Sequence, residues 1–438
     1  MYNQNVPSHL PDKLTITLWD FCWYTMTMPG EPFDDLDRAF AEAVERGYNT
    51  IRICAMPMFI FKNSKLRDGK LKFSNLGEGL GHRTRWFNCQ GGAELNALEH
   101  LENLFKMAQK HNCFVILSSW EYQQSPAFLE TNEIYKELMS IQPEERFHAL
   151  ANSMIQLVTH LKHKGLADRI AYAELHNEVE YGKLTEVLRN ENFGDQELTN
   201  QINEQTYKGM RSFFENAITQ FKELHPDILF TIGYSLARPK VSYWNYIAEN
   251  MDVAHFHLYN DGVLKALYDE VFQEPFPNQT ARSMLREDAP PFEKYSLDEK
   301  GGWRFKVFPV KTSNFYMFDW CDPVKWDLWL YEHYSDHREA MRLAISHKFD
   351  MYSEWAQKRN LPMVIGEGYV GYTPAETTFE EGPVGKDIAK FAIEKALDKG
   401  AWGMVLSSIC APHHHFWNDI EWQQKMNRKI LDSNKLDK

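Results

Sequence analysis

The sequence predicts an α/β fold of the (β/α)8 TIM-barrel class, with a long insertion after the sixth strand. Three observations carry this. Eight short apolar runs alternate with longer helical patterns along 438 residues. No glycine-rich phosphate loop follows any run, so a doubly wound nucleotide-binding sheet, which alternates in the same way, loses its usual reason. Two glutamates, Glu178 and Glu367, close the fourth and seventh runs, where a barrel gathers its chemistry.

The elements follow in order. Residues 14–19 form the first strand, and 34–46 a helix with Leu36, Phe40 and Val44 on one face and Gly47 at its exit. Strands at 49–54 and 113–119 flank a helix over 93–110. A helix over 144–164 leads to a fourth strand at about 169–175, and another over 203–223 leads to a fifth at 228–232. The sixth strand is placed at 252–257. A helix over 333–358 precedes the seventh strand (363–365), a helix over 385–398 precedes the eighth (402–407), and 419–433 is a last helix. The whole chain, 1–438, reads as one catalytic barrel. Residues 55–91 and 260–330 break the rhythm. Loops this long usually serve a function, and both follow strands, which places them on the catalytic face. The Pro- and aromatic-rich 260–330 stretch is expected to form a lid, a pocket wall or a subunit contact joining copies into a homo-oligomer. A satellite cluster that only packs on the barrel is the plainer alternative.

Composition narrows the partners. A net charge of −13, from 48 basic and 61 acidic residues, argues against nucleic acid or an anionic membrane. No apolar run approaches the ~18 residues of a membrane span. The N-terminus lacks the basic start and apolar stretch of a secretory signal. The six cysteines are scattered without a Cys-x-x-Cys pair, which suits buried free thiols and a cytoplasmic location. Thirteen tryptophans are many: some serve the core, and a surplus near a cleft would also suit sugar rings, which pack on aromatic faces, two uses that composition alone does not separate.

Two carboxyls at separate strand ends are what retaining glycosidic cleavage requires, one to protonate the leaving oxygen and one to attack the sugar. Glu178 follows His176 and Asn177, and Glu367 lies between Gly366 and Gly368. Arg52, in Ile-Arg-Ile on the second strand, needs a buried carboxylate partner, and Glu367 is the obvious one. His257 and Tyr259 close the sixth strand. Tyr259 is expected to orient the nucleophile, and His257 to contact the acid or the substrate. Trp120 and Glu121 end the third strand and are expected to line the pocket, with His176, Trp19 and Trp417 as further substrate-binding candidates. Each of these, taken alone, is more often structural than functional. His413-His414-His415 invites a metal reading, but consecutive side chains on an extended segment alternate and no His-Glu-x-x-His pattern accompanies them. No metal or cofactor is expected, and one of these histidines is expected to touch sugar hydroxyls.

Together these stretches, from about residue 14 to 420, resemble clan A glycoside hydrolases, most closely the family 5 (cellulase-like) barrels. Asn177-Glu178 matches the acid/base motif, Gly366-Glu367-Gly368 the nucleophile motif, Arg52 the strand-two arginine, and His257-Leu258-Tyr259 the His-x-Tyr after strand six. The resemblance implies double displacement with retention, Glu178 as acid then base, Glu367 as nucleophile, and no cofactor. The histidine usual near the end of strand three is replaced by Ser118-Ser119-Trp120-Glu121, and the strand-eight aromatic by Ser407-Ser408-Ile409-Cys410. Within the family the chain looks closest to cytosolic exo-β-mannosidases acting on short N-glycan-derived or manno-oligosaccharides. An endo-β-glucanase or β-mannanase, and a non-catalytic carbohydrate-binding barrel, remain as alternatives.

Overall fold

A computed structural model describes residues 6–61, 70–73, 83, 93–185, 204–235, 244, 246–295, 302–307, 310–371, 373–408 and 410–433. Most of the 55–91 loop, Cys89 and parts of the 260–330 insertion fall outside these residues.

The eight expected runs become eight parallel strands: β1 (Leu14–Asp20), β2 (Thr50–Cys54), β3 (Phe114–Ser118), β4 (Ile170–Glu174), β5 (Phe230–Thr231), β6 (Ala254–Tyr259), β7 (Met363–Tyr369) and β8 (Gly403–Val405). Their order is β5-β4-β3-β2-β1-β8-β7-β6. The ring closes between β5 and β6 through a bridge of Tyr234 with Phe256, beside which the His257 amide donates to the Tyr234 carbonyl at 2.9 Å. This is a (β/α)8 barrel.

Strand alternation separates two cores. Leu14, Ile16, Leu18, Phe114, Ile116, Tyr172, Val253, Val364 and Trp402 pack together inside the barrel. The alternate residues, such as Ile51, Ile53, Val115 and Leu117, join the much larger core under the helices. The main outer helices are α1 (Leu36–Glu45), α2 (Ala97–Lys110), α3 (Arg146–His163), α4 (Glu204–Leu224), α5 (Pro323–Lys358), α6 (Pro383–Asp398) and α7 (Ile420–Asp432). Asp35 caps α1 by accepting from the amides of Asp37 and Arg38. The inner face of α1 is Ala39, Phe40 and Ala43, whereas Val44, expected beside Phe40, is exposed.

Two irregularities aim side chains. In the β6–β7 pairing Phe256 sits opposite Ile365 but His257 opposite Glu367, so Gly366 is an extra residue. With Val364 inward, strict alternation would turn Glu367 outward; the bulge at Gly366 turns it inward. The β1–β2 register likewise shifts between Leu18 and Asp20, and Asp20 takes a left-handed φ of 38°.

The stretch between β6 and β7 differs from expectation at its end. Helix α5 begins at Pro323, not 333, because Asp322 caps it and Pro323 suits a first helical position. The preceding insertion holds helices Gly262–Val271, Gln279–Met284, Arg304–Val307 and Thr312–Trp320. Arg304 anchors it to the loop after β3, donating to the carbonyls of Ala127 and Leu129 at 2.9 Å each.

Phe40 supports Trp19 edge-to-face at 4.8 Å between ring centres. Phe40→Ala is expected to lower stability by about 3–5 kcal/mol, read by chemical denaturation.

Candidate active site

Arg52 organises the centre of the barrel mouth. It is fully buried, and its guanidinium lies over the Trp120 ring, 4.6 Å from the ring centre. Nη1 donates to Glu367 Oε1 at 2.7 Å, Nη2 to Glu174 Oε1 at 2.9 Å and to Asn177 Oδ1 at 2.6 Å, and Nε to Glu174 Oε2 at 3.1 Å. The expected Arg52–Glu367 pair is present, and Glu174, at the end of β4, takes the stronger bidentate grip.

Glu178 lies four residues beyond the end of β4, with φ of 37°, a backbone region that non-glycine residues adopt rarely and mostly under constraint. Its Oε1 is 3.0 Å from His257 Nδ1, which is also 3.5 Å from Glu367 Oε2. The second Glu367 oxygen accepts from the Tyr259 hydroxyl at 2.7 Å. A carboxylate oxygen of Glu178 and one of Glu367 fall within 4.8 Å of each other.

The two carboxyls are driven apart in acidity. Burial raises Glu178, and the charge of Glu367 adds to this against the hydrogen bond from His257. Burial also pushes Glu367 up, but His257, Arg52 and Tyr259 together outweigh it and hold that carboxyl below its usual range. One is therefore disposed to keep its proton while the other is ionised. Asp20 is pushed up to about 7 by burial, against the pull of Arg52, whose Nη1 is 3.8 Å away.

A cavity of about 130 Å³ opens over this pair, lined among others by Trp19, Asp20, Trp120, Gln123, Asn177, Glu178, Glu367, Ser408 and His413, with Val310 from the insertion. Gln123 accepts from Asn177 Nδ2 at 3.0 Å and so fixes the amide beside Glu178. Three sequence candidates lie elsewhere. Glu121 accepts from the Met58 amide at 3.0 Å and from the Ser119 hydroxyl, which ties down the β3 loop. His176 turns back onto the Tyr122 amide, 3.3 Å from its Nε2, and burial lowers it to about 4. Trp417 is packed in the outer layer, parallel to Tyr48 and donating to Glu42 at 2.9 Å. The three consecutive histidines diverge: His413 lines the cavity with Nε2 3.3 Å from Cys22 Sγ, His414 faces Glu381 at 3.6 Å, and His415 is exposed.

Among the described residues, two sets could approach a cation, Glu178–His257–Glu367 and Glu174–His255–His257. In the second, both Glu174 oxygens already accept from Arg52, whose positive charge a metal would have to oppose.

Sequence reasoning missed Glu174, Asp20 and Gln123. Glu174 was accessible: alternation along Ile170-Ala-Tyr-Ala-Glu174 puts Tyr172 and Glu174 on one face, and a buried arginine on a nearby strand asks for more than one acceptor. Asp20 and Gln123 carried no motif.

A fold and site of this kind define a sugar-processing barrel. A family model described as cellulase-like, sugar-binding cellulase-like, matches residues 16–431, so the chain belongs to the cellulase-like family and is an O-glycoside hydrolase. No curated protein sequence matches it. Among solved structures, the chain is similar to a protein of Parabacteroides distasonis described as a candidate glycoside hydrolase, at 18% identity and TM-score 0.65, over 98% of this chain and 97% of that one. It is more distantly similar to the endo-1,4-β-D-mannanase of Thermotoga petrophila (13% identity, TM-score 0.47, 96% and 99% covered). The family 5 mannosidase of Rhizomucor miehei is comparable (10% identity, TM-score 0.45, 97% and 95% covered).

Removing the guanidinium takes both donors from buried Glu174 and one from Glu367. Arg52→Gln is expected to cost about 3–5 kcal/mol at neutral pH, measured by denaturant unfolding.

Proposed function

We propose that this protein is a retaining β-glycosidase that cleaves short oligosaccharides by double displacement. The observation that carries the reading is the approach of the Glu178 and Glu367 oxygens to within 4.8 Å. Retaining enzymes hold their carboxyls about 5–5.5 Å apart, whereas inverting enzymes leave about 6.5–9.5 Å for a water.

Glu367, kept ionised by Arg52 and Tyr259, attacks the anomeric carbon. The C–O bond to the leaving group breaks, and its oxygen takes the proton of Glu178. Water then attacks the glycosyl–Glu367 ester and gives a proton to Glu178, which releases the sugar and restores both groups. Asn177, held by Arg52 and Gln123, supplies a polar contact beside the acid, and Trp19 and Trp120 supply apolar wall. Trp417, Glu121 and His176 are not assigned to sugar contact.

Val310 brings the insertion into the lining of the cavity. This supports exo action on short chains. A β-mannoside is the preferred substrate by family resemblance. The described cysteines, Cys22, Cys54, Cys113, Cys321 and Cys410, are all buried, which suits the proposed cytoplasmic location. The remainder of the insertion is the surface we assign to contact between copies.

Wild-type protein should hydrolyse 4-nitrophenyl β-mannoside in preference to the β-glucoside, β-galactoside and β-xyloside, and NMR should show the β-anomer forming first. First formation of the α-anomer would remove the nucleophile role from Glu367. Glu178→Ala and Glu367→Ala should each lower kcat by about 10³-fold or more; folded variants with unchanged rates would contradict the assignment. Activity should follow a bell in pH. It falls at low pH as Glu367 gains a proton, below the ordinary glutamate range, and at high pH as Glu178 loses one, above it. Tyr259→Phe removes a hydrogen bond to ionised Glu367 and should move the acid limb upward.

A further inference from the structure

Beneath Glu178 and Glu367 lies a row of fully buried polar groups that the steps above do not use. Tyr172 Oη is 3.0 Å from His255 Nδ1, and His255 Nε2 is 3.3 Å from His257 Nε2. His257 Nδ1 then meets Glu178 and Glu367. The backbone is shaped around His255. A Cβ on Gly366 would fall 1.7 Å from its Nε2, so the residue before Glu367 must be glycine for the ring to occupy its place.

Two facing imidazole nitrogens share one hydrogen, so one ring donates and the other accepts. His257 Nδ1 faces two carboxyls and must carry a hydrogen. Burial opposes charge on His257, but Glu367 and Glu178 outweigh it and raise the ring's pKa. Burial, together with the charges of Arg52 and His257, keeps His255 neutral. The groups facing the pair come from four strands: Asp20 on β1, Arg52 on β2, Tyr172 and Glu174 on β4, with Glu178 just beyond it, and Glu367 on β7. From α5, the Tyr352 hydroxyl donates to the His257 carbonyl at 3.2 Å and adds no charge. With His257 charged, its Nε2–H must donate to a bare Nε2 on His255. The hydrogen of His255 then sits on Nδ1, toward Tyr172.

We propose that His255 is a positioning residue: as the neutral Nδ1–H tautomer, backed by Tyr172, it offers its Nε2 lone pair to His257 and holds that ring as the imidazolium bridging Glu178 and Glu367. The proposal rests on the assignment of those two glutamates as acid/base and nucleophile. It places the support of the imidazolium that both glutamates share two residues before the His-x-Tyr motif, in a side chain outside the cavity lining.

The direct test is imidazole ¹⁵N NMR of histidine-labelled wild-type protein near pH 6, with His255→Gln and His257→Gln spectra used for assignment. His255 should show a protonated Nδ1 and a bare Nε2, and His257 should be protonated at both nitrogens. A hydrogen on His255 Nε2, or a bare Nε2 on His257, would overturn the proposal. This readout needs no activity, so it decides the matter even if no aryl β-glycoside is hydrolysed and the glycosidase reading fails. The kinetic arm compares pH profiles of kcat/KM. His255→Leu strands the His257 Nε2–H, weakens its positive charge, and should move both limbs upward by about one pH unit. His255→Gln keeps an acceptor and should restore part of the shift. A lowered rate with neither limb displaced would mean that His255 only fills space. Tyr172→Phe, which removes one hydroxyl, should shift the limbs in the same sense by less and serves if the leucine variant does not fold.

Discussion

Everything at the mouth of this barrel depends on one buried cation. Arg52 lies on β2, under no solvent, and binds Glu174, Glu367 and Asn177 at once. An arginine in that position is unstable without carboxylates, and the carboxylates are unstable without it. The cluster persists because β2, β7 and β4 with its following loop bring its members together and the barrel holds them in register. Trp120 closes one face of the guanidinium, so the charge is shielded from water while its donors stay directed. Glu174 accepts from Nε and Nη2, which leaves Nη1 to hold Glu367 ionised and directed at the cavity.

Against that fixed point, the difference between the two glutamates becomes a matter of neighbours. Among the described residues, Glu367 has an arginine, a tyrosine hydroxyl and an imidazole; Glu178 has the imidazole, against the repulsion of Glu367 and Glu180. Burial pushes both carboxyls the same way, so it does not set them apart. The donors do. His257 touches both and is the group through which a proton change at one carboxyl is felt at the other. The left-handed backbone at Glu178 and the bulge at Gly366 are the local distortions that bring these two side chains over the same cavity.

Much of this was legible in the sequence. The eight strands are short apolar runs between helical patterns, and each was found within a few residues of its place. Arg52 in Ile-Arg-Ile demanded a partner, and Tyr259 two residues from His257 lay on the same inward face. What was hidden had physical reasons. A bulge changes which residue faces inward, and nothing in Ile-Gly-Glu-Gly announces whether Gly366 is paired or extra. The start of α5 was obscured because Val324 and Leu328 are apolar yet exposed, which blurs the helical stripe. Trp417 looked like a sugar platform, but it serves the packing of α1 and Tyr48. Gln123 and Asp20 reach the cavity from loop and strand-end positions that only the folded backbone defines.

A nucleophile at Glu367, held ionised by Arg52, would form a covalent bond to the sugar. Incubation with a 2,4-dinitrophenyl 2-deoxy-2-fluoro-β-mannoside, followed by peptide mass spectrometry, tests it most directly. One fluoroglycosyl group is expected on the peptide containing Glu367, formed as the dinitrophenolate burst appears. A label on Glu178, or dinitrophenolate release at full turnover with the first product of inverted configuration and no labelled peptide, would contradict it.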